Sequence, residues 1–201
     1  MKLFLNNTSP YSRMVRIVML EHGLADRVEL AWCDPWSDDE DLLRANPLAR
    51  IPTLVLDSGM AISESILIAS YLDSIGKTSH SLVPKDRKEG IFHLMGLALG
   101  IMDAAFSIVI SRKYLDKNQE DAILGRRRFK GIGRSLDTLE QSIQTYSKRE
   151  AITLGDISFA VSLEYLAFRL PELNTMEQYP NLELWRSDMS ARDSFKATHF
   201  H

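Results

Sequence analysis

Thr8-Ser9-Pro10-Tyr11-Ser12-Arg13 is the stretch whose reading decides the rest. A short apolar run, Lys2 to Leu5, precedes it and reads as a strand. Val15, Val18, Met19 and His22 follow it at helical spacing. The hydroxyls therefore fall at a strand-to-helix turn. Pro10 suits the first helical position, where a backbone N–H would have no partner anyway. Ser9 then takes the N-cap, where its oxygen can accept an orphan N–H of the first turn. The same place is the positive end of the helix dipole and can hold an anion. Taken alone, Ser-Pro at a helix start is ordinary capping, so the weight shifts to what surrounds it.

Downstream, the first helix is expected to run to about His22 and stop at Gly23. Val28 to Trp32 is β-prone and reads as a second strand. Pro35-Trp36-Ser37-Asp38-Asp39-Glu40 is a loop, with Ser37 or Asp38 as the expected cap of a short helix over Leu42, Leu43 and Ala45 that ends before Pro47. In Arg50-Ile51-Pro52-Thr53-Leu54-Val55-Leu56, proline stands at the start of a strand, since it cannot donate to a sheet ladder. The bond before it can be cis. Thr53 to Ile62 forms a hairpin around Asp57-Ser58-Gly59. Ser63-Glu64-Ser65 opens a helix faced by Ile66, Leu67, Ala69, Ser70 and Leu72 and ended by Gly76. The order βαβαββα implies a right-handed parallel crossover followed by an antiparallel hairpin.

Lys77 to Lys88 is polar, contains Pro84 and reads as a linker. It separates an α/β domain over 1–77 from an all-α helical bundle over 86–201. Glu89 to Leu115 is a long helical pattern with Phe92, Met95, Leu99, Met102, Phe106 and Ile110. Asp121 to Tyr146 is a second, with Ile123, Leu124, Phe129, Ile132, Leu136, Leu139 and Ile143. Thr153-Leu154-Gly155-Asp156 is a capping-box signature ahead of an apolar helix. Pro180 to Met189 is read as the last helix, carrying Leu182 and Trp185.

Composition bounds the function. The chain has 201 residues, 45% hydrophobic and 25% charged, which is ordinary for a soluble globular protein. A net charge of −3 does not suggest nucleic-acid binding, and Arg126-Arg127-Arg128, beside Glu120 and Asp121, reads as a solvated face. No apolar run is expected to be long enough to span a bilayer, Met1 to Leu5 is too short for a signal peptide, and the cytoplasm is the default compartment. The single cysteine, Cys33, excludes an internal disulfide and a C-x-x-C motif, and the five histidines show no metal-ligand spacing. His199 and His201 are expected in a disordered tail. Asp103 is an unexpected carboxylate in an apolar helix.

In this order the local signals resemble the cytosolic glutathione S-transferase family, bacterial and serine-type, over nearly the whole chain. Ser9 to Arg16 is similar to the serine-type active-site turn. Asn46 to Leu54 is similar to the cis-proline segment, Ser63-Glu64-Ser65-Ile66 to the γ-glutamyl site, and Thr153 to Ile157 to the capped core helix. The resemblance implies a thioredoxin-like first domain, glutathione as co-substrate with no resident cofactor, a small hydrophobic electrophile, no membrane, and a homodimer. It implies Ser9 as the catalytic hydroxyl and Arg50, Ile51, Pro52, Glu64 and Ser65 as the glutathione site. Tyr11, Trp36, Phe106, Ile110 and Tyr114 are assigned to an electrophile pocket by topology. Thr8, Tyr11 and Ser12 are other hydroxyls within the turn, and capping or surface roles also fit the site residues one at a time. The sequence departs from the family's pattern at Ala49, where glycine is common. Ser9-Pro10 also differs from the Ser-Ser-Cys run of maleylacetoacetate-isomerase-like members. The expected reaction is transfer of glutathione to alkyl or aryl electrophiles, a detoxifying conjugation. Two other readings stay open: a non-catalytic interaction module of the stringent-starvation-protein type, and another glutathione-dependent enzyme such as a peroxidase or dehalogenase.

Overall fold

The computed structural model describes residues 1–78, 80–114, 123–147, 151–173 and 175–201. These gather into two units, one of Met1–Pro84 with Asp193–His201 and one of Lys85–Arg192.

The first unit alternates β1 (Lys2–Leu5), α1 (Pro10–Glu21), β2 (Glu29–Trp32), α2 (Glu40–Ala45), β3 (Thr53–Val55), β4 (Ala61–Ser63) and α3 (Ser65–Ser74). The sheet order is β2-β1-β3-β4, with β1 and β2 parallel and the other pairs antiparallel. This is the thioredoxin-like arrangement. Its core is Leu3, Leu5, Met14, Val15, Ile17, Val18, Leu54, Ile68 and Leu72, all fully buried. The hydrophobic effect on this stripe fixes α1 and α3 against the sheet. The α2 cap is Asp39, whose carboxylate accepts from Leu42 N–H at 2.8 Å, rather than Ser37 or Asp38. Asp38 instead takes a left-handed turn conformation, which an Asp tolerates.

The second unit is helical: α4 (Lys88–Tyr114), α5 (Ile123–Ser147), α6 (Leu154–Arg169), α7 (Thr175–Gln178) and α8 (Pro180–Ser190). Leu115 and Asp121, expected at helix ends, lie outside the described residues. The α4 stripe that packs is Ile91, Leu94, Met95, Ala98, Ile101, Met102, Ala105 and Ile108. Of the expected stripe only Met95 and Met102 belong to it, while Phe92 and Phe106 are exposed. The helix is apolar on nearly every side, so spacing alone could not select its face. By length and composition α4 could also cross a bilayer, contrary to the sequence reading; its packing on α5 and α6 is that of a core helix.

α6 is buried from Leu154 to Leu166 and begins with the expected capping box. Asp156 N–H donates to Thr153 Oγ1 at 3.2 Å, and Thr153 N–H donates to Asp156 Oδ2 at 2.8 Å. Gly155 lets α6 come close to α4: a Cβ there would lie 3.1 Å from the Ile91 carbonyl oxygen.

Residues 193–201, which the sequence assigns to the helical half, group with the first unit. They form α9 (Asp193–Lys196) and a short extension along α1. The Arg13 guanidinium lies 4.5 Å from the Phe200 ring and 5.7 Å from that of Phe195, and Arg13 Nε donates to Thr198 Oγ1 at 3.4 Å. Arg16 donates to the Ala197 carbonyl at 3.2 Å. The expectation of a disordered tail is therefore corrected: cation–π and hydrogen-bond contacts hold it, and Phe195 and Thr198 are buried.

Candidate active site

The strand register gathers the candidate residues. Leu5 faces Trp32, Phe4 faces Thr53, and Thr53 faces Ser63. The ends of β1, β2 and β4 and the start of β3 therefore share one end of the sheet. The chain leaves β1 there toward Ser9, leaves β2 toward Trp36, enters β3 through Ile51-Pro52 and leaves β4 into Glu64-Ser65.

At the β1 exit, Asn6 Oδ1 accepts from Thr8 N–H at 3.2 Å and Ser9 N–H at 2.9 Å. This bond set bends the chain into α1. Ser9 is the N-cap, as expected, and its Oγ accepts from Ser12 N–H at 3.2 Å. A hydroxyl has one hydrogen to donate, and the capping bond does not use it. Ser9 can therefore cap the helix and still donate outward to an anion. The alternative hydroxyls differ in access. Ser12 is 0% exposed. Thr8 Oγ1 donates toward Asn6 Oδ1 at 3.5 Å. Tyr11 lies in the first turn of α1 and is half-buried.

The Ile51-Pro52 bond is cis. The approach to it is knitted by Asn46, which is buried. Asn46 Nδ2 donates to the Arg50 carbonyl and to Thr53 Oγ1, each at 3.1 Å, and Thr53 Oγ1 donates to the Arg50 carbonyl at 2.8 Å. Ala49, within this loop, has a left-handed φ of 51°. Asn6 and Asn46 were not singled out in the sequence. Asn three residues ahead of Ser-Pro, and Asn directly before Pro47, are the signals that mark such turn-forming amides.

Glu64 occupies the N-cap position of α3 with φ 68° and ψ 119°, and its side chain caps nothing. This weighs against plain capping as its role. A ten-residue helix thus begins with uncapped N–H groups at Ser65 and Ile66. The Glu64 carboxylate instead pairs with Arg50 at 3.1 Å, both side chains being more than half exposed. Ser65 is buried at the helix start. A carboxylate ligand would find amide donors, a helix dipole and a guanidinium together; an amine would find Glu64.

Cys33, just past β2, donates its N–H to the Leu5 carbonyl at 3.0 Å. Burial pushes its thiol above the ordinary value, with repulsion from Asp39 and Asp34 acting in the same direction. These effects disfavour the Cys33 thiolate. Trp36 is exposed in its loop. Phe106, Ile110 and Tyr114 recur every fourth residue along α4, with Phe106 and Tyr114 exposed and Ile110 half-buried. Tyr11 and Trp36 belong to the first unit and the α4 residues to the second.

Residues 8–75 match the sequence model of the glutathione S-transferase N-terminal domain, and residues 97–193 that of the C-terminal domain. The uncharacterized GST-like protein YibF of Escherichia coli (strain K12) is 31% identical over 201 residues, covering 98% of each chain. A stringent starvation protein A homolog of Histophilus somni is 42% identical over 73 residues, 36% of this chain and 33% of that one. Among solved structures, a glutathione transferase family member from Pseudomonas fluorescens Pf-5 with bound glutathione has a TM-score of 0.91 at 32% identity over 98% of both chains. A glutathione S-transferase from Methylobacillus flagellatus KT with GSH bound has a TM-score of 0.88 at 31% identity, again over 98% of both.

Proposed function

The chain belongs to the glutathione S-transferase family, and from that premise we propose that it binds glutathione at the shared end of the sheet and stabilises its thiolate for attack on a small hydrophobic electrophile. The observation that carries this reading is the convergence there of the Ser9 turn, the Ile51-Pro52 segment and the uncapped start of α3. In this reading the γ-glutamyl carboxylate sits on the N–H groups of Ser65 and Ile66, Glu64 takes the α-amino group, and Arg50 meets a carboxylate of the peptide. The main chain of Ile51, ahead of Pro52, pairs with the cysteinyl unit.

The energetics suit a hydroxyl acting by hydrogen bonding alone. A free thiol titrates at about 8.5, so a shift of about two units calls for about 2.7 kcal/mol in favour of the anion. A hydrogen bond to a charged group supplies about 1.5–3 kcal/mol. A helix N-terminus adds about 0.3–1 kcal/mol. Ser9, with its hydrogen uncommitted and its oxygen on the α1 amides, supports both terms at once. The electrophile is then held by apolar side chains, for which Tyr11, Trp36, Phe106, Ile110 and Tyr114 are the candidates. Homodimerisation is part of the same proposal, supported by exposed Met60, Leu67 and Phe92, and the cytoplasm is its setting.

A second reading is favoured by one observation, the 42% identity of a 73-residue stretch to the stringent starvation protein A homolog. It makes the chain a non-catalytic interaction module. Calorimetric titration with glutathione, alongside thiolate absorbance near neutral pH, separates the two. Wild type and Ser9→Ala are expected to bind the peptide alike, with thiolate formed only in wild type. Absence of binding in wild type would promote the interaction module. Thiolate retained in Ser9→Ala would move the activating hydroxyl to Thr8 or Tyr11.

A further inference from the structure

The C-terminal end of α1 carries a second cluster of hydroxyl, imidazole and carboxylate, and the proposed glutathione chemistry does not use it. His22, which caps that end, is buried. Its Nε2 lies 2.8 Å from Asp73 Oδ1, and its Nδ1 lies 2.7 Å from Thr78 Oγ1. A carboxylate only accepts, so Nε2 carries the hydrogen. In the neutral ring Nδ1 is then an acceptor, and the Thr78 hydroxyl donates to it. Hydroxyl, base and orienting carboxylate each stand within hydrogen-bond reach of the next.

Every member of this line is held in place. Asp73, near the end of α3, also accepts from Leu82 N–H at 2.6 Å and from Ser81 Oγ at 2.7 Å. These bonds fix the carboxylate, and the carboxylate fixes the tautomer of the ring. Gly76 packs against the ring so closely that a Cβ there would collide with His22 Nδ1. Lys77 N–H donates to the His22 carbonyl at 3.1 Å, which leads the chain past the ring to Thr78. Thr78 is half-buried, so the hydroxyl end of the line is the end open to a reactant. Apolar side chains could tether this segment without the desolvation cost of a buried imidazole and its carboxylate. α1 has 12 residues, a length of about 18 Å, and the cluster stands at the far end of it from Ser9.

We propose that Thr78, His22 and Asp73 form an ester-cleaving centre for small activated esters, separate from the glutathione site. Thr78 Oγ1 adds to the ester carbonyl carbon while its hydrogen passes to His22 Nδ1. The tetrahedral adduct expels the alcohol portion, which takes that hydrogen from Nδ1, and the acyl group stays on Thr78. Water then gives a hydrogen to Nδ1 and its oxygen to the acyl carbon. Thr78 leaves with its own hydrogen restored, so ester and water become acid and alcohol. Asp73 remains a carboxylate throughout and stabilises the imidazolium that forms in each half. His80, exposed and with its ring 6.4 Å from that of His22, is the candidate donor to the oxyanion. The acyl group must be small, because the attacking hydroxyl is half-buried.

The probe is p-nitrophenyl acetate, mixed with the full chain in the absence of glutathione. Release of p-nitrophenolate is followed by absorbance, and the acetylated residue is found by peptide mass spectrometry. Wild type is expected to carry acetyl on Thr78 and to release p-nitrophenolate beyond one equivalent. Thr78→Val is expected to lose both signals, and Thr78→Ser to keep both. Asp73→Asn is expected to slow release by about a hundredfold or more, the share that a positioned general base supplies. Glutathione affinity, measured by calorimetry, is expected to be equal in wild type and Thr78→Val, so failure here leaves the glutathione reading standing. Three results would overturn the proposal: no acetyl on Thr78 in wild type, acetyl confined to Lys77 as a hydroxylamine-resistant amide, or equal release by wild type and Asp73→Asn.

Discussion

Ala49 shows how a single residue reports on the loop around it. Its φ of 51° puts an alanine where a Cβ crowds the following carbonyl, a conformation that costs about 1–2 kcal/mol for a non-glycine residue. Ala49→Gly is expected to raise stability by up to about 1 kcal/mol, the gain being trimmed by the freer unfolded chain that glycine brings. The check is a urea midpoint that rises at unchanged slope; a lower midpoint would mean that the Asn46 bonds already relieve the strain. The sequence marks Ala49 only by comparison with a family pattern, and it gives no sign that Glu64 is left-handed as well. Ser9, by contrast, was legible because Pro10 fixes the phase of α1 by its own ring. The roles of Asn6 and Asn46 are not legible from apolar spacing, because an amide's partners depend on the local turn.

Among the elements, α6 depends on its first turn. It is buried on every side, so water cannot replace the cap. Thr153→Ala is expected to lower stability by about 1–2 kcal/mol, and Thr153→Ser to recover most of it, since both hydroxyls can take the Asp156 N–H. Thermal melts of the three proteins test this; equal melting points would assign the cap to Asp156 alone. The capping box was readable because its two residues stand only three positions apart and are chemically distinctive. The packed face of α4 was not, because an all-apolar helix has no phase until a neighbour selects one, and Gly155 makes that selection by admitting the α6 backbone. α5 shows the contrast. Polar on its outer side, it buried Ile132, Leu136, Leu139 and Ile143 as expected, while Ile123 and Leu124 at its start are exposed. α7 and α9 are single turns, too short for periodicity to register.

For the molecule as a whole, alkaline stability is one expected readout. Burial pushes the Tyr165 phenol up to about 12. An unfolded tyrosine titrates at about 10, so the folded state keeps a proton that the unfolded state gives up. The stabilisation is intact below about pH 10 and is lost as pH rises from there toward 12. Tyr165→Phe removes the titrating group, and its unfolding free energy is expected to fall less steeply than that of wild type over that interval; parallel curves would place the alkaline sensitivity elsewhere. Another property follows from the route of the chain. The first unit is discontinuous: Arg13 and its partner Thr198 are 185 positions apart, with the helical unit made in between. On the ribosome, α1 emerges early with its buried guanidinium still lacking the rings of Phe195 and Phe200. The amino-terminal fold can therefore be finished only after the last helices have left the exit tunnel, so a stalled nascent chain would present an incompletely covered α1 to the cell's folding factors.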